Sequence, residues 1–440
     1  MTTLRSDVLV LGGTLGGLVA ATYLARTGLR VVLVEEQAQS KRPALLREPF
    51  LLSGLSRNGS LNRVLRELAL PLLEQREFAL DPIALQVVLP DARIDVVADD
   101  EEFALELDRF GLAKPDEVLP WLDAVARSAQ AARQTLWDES PPAERSGLAR
   151  YIPARGATGP RVRAPLPEPP QRLQALCDAL VGGVSRLADP GATPAPALLI
   201  DAARHGNFRL PDAGHSFLDL FRRRFRALHG EFREVDSFAL ISDKQDVGIE
   251  LPRGQVYARA MVVAVPREPL RRFAQEFGPV PRWLRPGVTP LRLEQRLFRT
   301  EPSAIPTGMA SRLVVEDAGP EARLRISLHA DPSSHRVCWL LIGGPGVASL
   351  DEDAPLGDLA PFAGGSLVPV AAGPLPAWDI DSDSAGFPQS DPGPLGRGRP
   401  LVAQVGAEAV AGLGLEGEVL QARRAAMQLA GRLGAHPPVT

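Results

Sequence analysis

The hydrophobic pattern is clearest at the start of the chain. Asp7-Val8-Leu9-Val10-Leu11 is a short apolar run, as expected of a strand buried on both faces. Glycines cluster next, at Gly12, Gly13, Gly16 and Gly17. Leu18 to Arg26 then reads as a helix, with Leu18, Ala21, Leu24 and Ala25 on one face and Gly28 ending it. Val31-Val32-Leu33-Val34 is a second apolar strand that ends in Glu35. Together they predict a βαβ opening of about 30 residues.

Further along, the pattern predicts helices over 59–70, 99–110, 116–137 and 173–187. Leu85 to Leu89 and Ile94 to Val97 read as a strand pair joined by Pro90-Asp91. Residues 215–229 form an amphipathic helix, with Phe217, Leu218, Phe221, Phe225 and Leu228 on one face and Arg222, Arg223, Arg224 and Arg226 on the rest. Strands are expected at 232–241, 247–251, 256–265, 288–298, 311–316, 323–329 and 336–342. Residues 140–170 and 343–400 are rich in Pro, Gly and charge and read as irregular connections. Leu401 to Val405 is a last apolar strand, followed by a glycine-rich turn and a helix from about Glu416 to Leu433.

Composition narrows the class of protein. The 440 residues carry 49 Lys+Arg against 53 Asp+Glu, a formal charge of -4, which lacks the basic footprint of a nucleic-acid binder. Two cysteines, Cys177 and Cys338, cannot form a disulfide framework, and no CxxC or HExxH spacing points to a metal. No run of 18 uncharged apolar residues predicts a membrane-spanning helix. The chain opens directly on a strand pattern without a signal segment, so a cytoplasmic protein is expected. Lysine occurs only at Lys41, Lys114 and Lys244, a bias that suits a GC-rich bacterial genome and leaves no GxxxxGK[ST] phosphate loop.

The opening unit is similar to a dinucleotide-binding fingerprint. In that design the first glycine makes a tight turn, the second lets backbone approach a pyrophosphate, and the third lets helix pack on strand. The helix N-terminus faces the phosphates, and an acid about 20 residues on holds the ribose. Gly12 and Gly17 occupy the first and third places and Glu35 the acidic one, while the middle place is Thr14. At the other end, Val402-Ala403-Gln404-Val405-Gly406-Ala407-Glu408 leads into Gly412-Leu413-Gly414-Leu415-Glu416-Gly417-Glu418 and an Ala- and Arg-rich helix. The pair of terminal motifs, with the 215–229 helix and the apolar strand ending Val263-Ala264-Val265-Pro266, resembles the phytoene desaturase and flavin amine oxidase superfamily.

The resemblance implies an α/β fold: a Rossmann-like FAD-binding domain of residues 1–75, 201–285 and 396–440, and an inserted α+β substrate domain of 76–200 and 286–395. FAD would be held by Gly12, Gly13, Thr14, Gly16, Gly17, Glu35, Phe238, Gly406, Glu408 and Gly414. Hydride would pass from an apolar or amine-bearing small molecule to the flavin. The chain departs from the family at residues 36–43, where no Gly-Gly-Arg-like segment follows the acid, though Lys41 or Arg42 can replace its charge. These departures keep open an alternative, a non-catalytic relative similar to the Rab GDP-dissociation inhibitors that binds a lipid or protein.

Other residues offer less chemistry. No GxSxG elbow surrounds a serine, and no side chain stands out as a catalytic acid or base. His215 beside Ser216 reads as a helix cap, Asp91 to Asp95 as a turn with a surface ion pair, and Trp121 and Trp137 as packing residues. The Arg222–Arg226 cluster reads as a solvated helix face, with a patch for acidic lipid headgroups as the alternative. The sequence defines no oligomeric state.

Overall fold

The computed structural model describes residues 2–70, 78–138, 163–209, 217–242, 246–252, 254–277, 280, 284, 291, 293–316, 322–331, 333–350, 367–379 and 401–435. His215, His436, Lys244 and most of the two irregular connections lie outside them. Along the chain the first elements are β1 (Thr2–Leu11), α1 (Leu15–Arg26), β2 (Val31–Glu36), α2 (Gln37–Ser40) and α3 (Ser60–Glu67). Then come β3 (Ala79–Leu80), β4 (Leu85–Leu89), β5 (Ala92–Val96), α4 (Asp100–Arg109), α5 (Pro115–Asp138), α6 (Gln174–Val184) and α7 (Pro196–Arg204). Next are β6 (Phe208–Arg209), α8 (Phe217–Ala227), β7 (Glu231–Val235), β8 (Ala239–Ser242), β9 (Val247–Leu251), β10 (Gly254–Val263) and α9 (Arg267–Phe277). The chain closes with β11 (Leu293–Thr300), β12 (Arg312–Val315), β13 (Leu324–Asp331), β14 (Ser334–Gly344), β15 (Val368–Leu375), β16 (Leu401–Gln404) and α10 (Gly414–Arg432).

The first sheet runs β7-β2-β1-β10-β9-β8, with β16 also on β10. Strands β7, β2, β1, β10 and β16 are mutually parallel, while β9 pairs antiparallel with β10 and β8 antiparallel with β9. Both faces are covered, as the unbroken apolar runs predict. Val8 and Val10 pack with α1, α8 and α10, while Leu9 and Leu11 face a second core with Met261, Val263 and Ile249. This is the α/β, Rossmann-like half of the expected fold.

The second sheet runs β15-β11-β14-β13-β12-β4-β5 and is antiparallel except where β12 meets β4. Phe298, Leu313, Val315, Ile326, Leu340 and Ile342 fill one of its cores. Helices α4 to α7 bury Phe103, Val118, Leu122, Leu180 and Leu198 against β4 and β5.

Several elements differ from the sequence expectation. Helix α7 begins at Pro196, in a Pro/Ala-rich stretch with little amphipathic pattern, yet nearly all of it is buried. Helix α9 follows directly on Pro266 and carries an amphipathic repeat masked by the strand before it. Strand β15 lies within the stretch expected to be irregular. It holds Pro369 and Pro374 because it is an edge strand, where a missing N–H costs no ladder bond. The single strand expected over 232–241 is two, separated by Asp236-Ser237-Phe238, because β7 joins β2 while β8 joins β9. No helix among the described residues is long and apolar enough to cross a membrane.

Candidate functional site

The turn between β1 and α1 needs its glycines. Gly12 has φ +105°, and a Cβ there would lie 2.7 Å from Val265 Cγ1. A Cβ on Gly17 would run into the Gly12 carbonyl oxygen and the Ala264 methyl, and one on Gly16 into the Val405 carbonyl oxygen. Helix α1 therefore rests directly on the crossing of β1, β10 and β16. Thr14 is its N-cap: Oγ1 accepts from the Gly17 N–H (3.3 Å) and donates to the Ala264 carbonyl (3.1 Å).

The next donor of that helix turn is also engaged. The Gly16 N–H donates to Glu418 Oε1 on α10 (2.9 Å), and the second oxygen of Glu418 pairs with Arg186. Glu418 is 3% exposed and Arg186 20%. A helix N-terminus favours an anion through its free N–H groups and dipole. Here the anion is a carboxylate of the chain itself.

Glu35, at the end of β2, lies against Gly13: a Cβ there would sit 2.6 Å from the carboxyl carbon. Arg222 Nη2 on α8 bonds Glu35 Oε2 (2.9 Å), and Arg47 Nη1 stands 3.6 Å from Oε1. Burial raises the Glu35 carboxyl above its ordinary range, outweighing the pull of Arg222 and Arg47. Arg222 also pairs with Asp219 and lies over the Phe232 ring, while Arg224 donates to the Leu68 carbonyl. The arginine cluster expected as a solvated face is thus divided, with Arg222 serving the β2 end.

The C-terminal crossing is similarly filled. Gly406 begins the short 3-10 helix Ala407–Leu413, and its surroundings leave room for a Cβ. Gly414, at φ +60°, makes the turn into α10. Glu408 turns away to Arg267 Nε (2.7 Å), the Arg267 N–H (3.3 Å) and Gln404 Nε2 (2.8 Å). Burial raises its carboxyl too, against the opposing Arg267. Glu416 is gripped by Arg133 Nε (3.0 Å) and Nη2 (2.7 Å) and accepts from the Ser60 N–H (3.1 Å). Burial alone would raise the Glu416 carboxyl; Arg133 overcomes it and holds the group below the usual range.

The remaining sequence candidates are scattered. Phe238 is buried in the core with Leu9, Val32 and Ile249, beyond the edge of β7. Arg42 stands beside Gly373 on β15, and Arg47, five residues later, is the one that reaches Glu35. Arg93 and Asp95 of the expected surface hairpin both bond Gln86, so no ion pair forms between them. Trp121 donates to the Pro167 carbonyl, and Trp137 is flanked by Arg63 and Arg423, consistent with packing roles.

Sequence reasoning missed Arg47, Arg186, Arg267, Arg325 and the part played by Glu418. Its one available signal was a pair of acids, Glu416 and Glu418, in an otherwise apolar first turn of α10. Arg325 lies deep in the molecule yet is partly accessible, and donates to the carbonyls of Gly182 (2.8 Å) and Ser185 (2.5 Å) at the end of α6. Burial, Arg323 and Arg186 push its guanidinium down to about 9, and no carboxylate among the described residues pairs with it.

The residues fit a dinucleotide in their frame. The glycine turn, the close helix approach and the acid at the β2 tip are present, and the α1 N-terminus already holds a carboxylate of the chain. Its polar atoms, however, are held by the chain's own side chains. Among the described residues no cluster of His, Cys, Asp and Glu could hold a metal.

No protein-family model matches the chain, and no curated protein does. Solved structures do. A single-substitution variant of a putrescine oxidase aligns over 98% of this chain and 100% of its own, at 13% identity and TM-score 0.55. A protein from Exiguobacterium sp. 255-15 assigned as a protoporphyrinogen oxidase aligns over 99% and 100%, at 14% identity and TM-score 0.52. The cyclohexylamine oxidase of Brevibacterium oxydans IH-35A aligns over 98% and 99%, at 14% identity and TM-score 0.50. At such identities the likeness establishes the fold, and the fold is the one that the terminal motifs imply.

Proposed function

We propose that the chain is an FAD-dependent oxidoreductase that takes a hydride from an apolar or amine-bearing small molecule. The observation that carries this reading is the meeting of two glycine-turned helix starts, α1 and α10, at a place that binds an anion. When bound, FAD supplies the two-electron acceptor, and an external acceptor regenerates it. The chain's part is to bind and orient. The N–H group of Gly16 would face the diphosphate, and Glu35, steadied by Arg222, the ribose hydroxyls. The two-domain division expected above is part of this proposal. Substrate would approach from the second sheet. The named amine oxidases of the same fold keep amines in the panel.

A second reading is favoured by one observation: Glu35, Glu408 and Glu418 are already paired internally. On it, the fold serves a non-catalytic binding role. The visible spectrum of protein saturated with FAD, followed under anaerobic addition of polyenes and amines, decides between the two. A flavin band that bleaches with a member of the panel is expected. A folded protein that retains no flavin band once free FAD is removed sinks the redox reading.

A further inference from the structure

We infer that Glu418 is a built-in occupant of the diphosphate place, so that FAD binds this chain only by displacing its carboxylate from the Gly16 N–H and Arg186. The inference rests on the flavin reading above and adds to it the residue that sets cofactor affinity.

The argument begins with the helix turn. Of the donors at the start of α1, Gly17 is satisfied by Thr14 within the same turn. Gly16 is satisfied from outside it, by a side chain 402 residues away in sequence. A diphosphate oxygen and a carboxylate oxygen compete for the same kind of N–H, and both cannot hold it. Space gives the same answer. Glu418 lies directly over Gly16, where a Cβ would stand 3.3 Å from its Oε1 and 3.4 Å from its Cγ.

Charge supplies an independent observation. Arg186 and Arg325 lie side by side in the fold, since Arg325 donates to the carbonyl of Ser185, the residue before Arg186. Glu418 answers only Arg186. Two neighbouring cations served by one carboxylate leave an excess positive charge, which a diphosphate satisfies better than a single acid does. Arg325 is costly to bury without an anion, as its depressed pKa reflects.

The test is FAD binding to the full-length chain, measured by calorimetric titration and by the flavin band, for wild type, E418A and E418Q. E418A clears the place, so its Kd for FAD is expected to fall at least tenfold below that of wild type. E418Q is expected to lie between, because an amide oxygen still accepts from Gly16 but carries no charge against phosphate. If E418A does not fold, E418Q decides, with several-fold tighter binding expected. R186Q in either background should weaken binding, because the cation that held Glu418 then holds phosphate. Equal FAD affinity in wild type and the folded Glu418 variants overturns the inference and leaves the flavin reading standing. No uptake by any folded variant overturns the flavin reading itself.

Discussion

Glu416 and Glu418 stand two residues apart on α10, and the helix sends them to opposite sides. Glu416 meets a guanidinium fork: Arg133 grips it through Nε and Nη2, and Arg133 Nη1 reaches Asp201 at 2.6 Å. All three side chains are less than 10% exposed. Glu418 meets one backbone N–H and one arginine that is 20% exposed. The first acid is fixed by a geometry that only its present partners satisfy. The second sits where a different anion could take over both of its partners. Two acids in one helical turn thus divide into a structural tie between α5, α7 and α10 and an exchangeable occupant of the α1 N-terminus.

The largest expected effect lies on the structural side. R133A leaves Glu416 and Asp201 buried without their cation, and one-sided removal of a buried pair costs about 3–5 kcal/mol. Urea unfolding should show that loss, whereas E418Q should cost far less, because Arg186 can turn to water. Similar losses for R133A and E418Q would erase the distinction between the two acids. The frame beneath Glu418 is the next target. In G17A the new methyl meets the Gly12 carbonyl and Ala264, so α1 must lift from β1. Overpacking of this kind costs up to about 3 kcal/mol. Lifting the helix also moves the Gly16 N–H out of reach of a diphosphate, so G17A should weaken FAD binding where E418A strengthens it.

Acid should attack the structural tie selectively. Burial would raise the Asp201 carboxyl, but His205, which bonds it, and Arg133 together bring it down to about 2, against an ordinary value of 3.8. A carboxyl depressed in the folded state adds stability above its unfolded pKa and loses it as pH falls through the folded one. That shift corresponds to roughly 2 kcal/mol, lost between about pH 4 and pH 2. His205 is raised by the same contact, so its contribution is full below its ordinary 6.5 and fades as pH rises through the raised value. Unfolding free energy measured against pH should therefore have an acid limb that D201N flattens. An unchanged limb in D201N would assign it to other carboxylates.

The same contrast explains what the sequence made legible. The apolar runs Val8–Leu11 and Val31–Val34 and the glycines between them announce a parallel sheet because both faces of such strands are buried. The acid at Glu35 was equally visible, because its offset from the glycines is a local property of the βαβ unit. Arg47, Arg186 and Arg267 were not, because each finds its carboxylate through the tertiary fold: Arg186 and Glu418 are 232 residues apart. Arg222 was misread for a related reason. It lies beside three other arginines on α8, and only the packing of that helix against the β2 end singles it out. Strand β15 was hidden by its two prolines, which mark an edge as readily as a loop.

Thr14 offers the smallest effect and a sharp test of which residue holds the diphosphate place. It is the visible departure from the glycine fingerprint, and by sequence alone it would be blamed for any weakness in cofactor binding. Its side chain faces back into the helix turn, bonded to the Gly17 N–H and the Ala264 carbonyl. Exchange of a threonine cap for glycine costs only a few tenths of a kcal/mol. T14G should therefore unfold almost as wild type does, and its FAD affinity should change far less than that of E418A. A gain in T14G as large as that in E418A would move the obstacle from α10 to the glycine turn itself, and Glu418 would then be a neighbour of the place rather than its occupant.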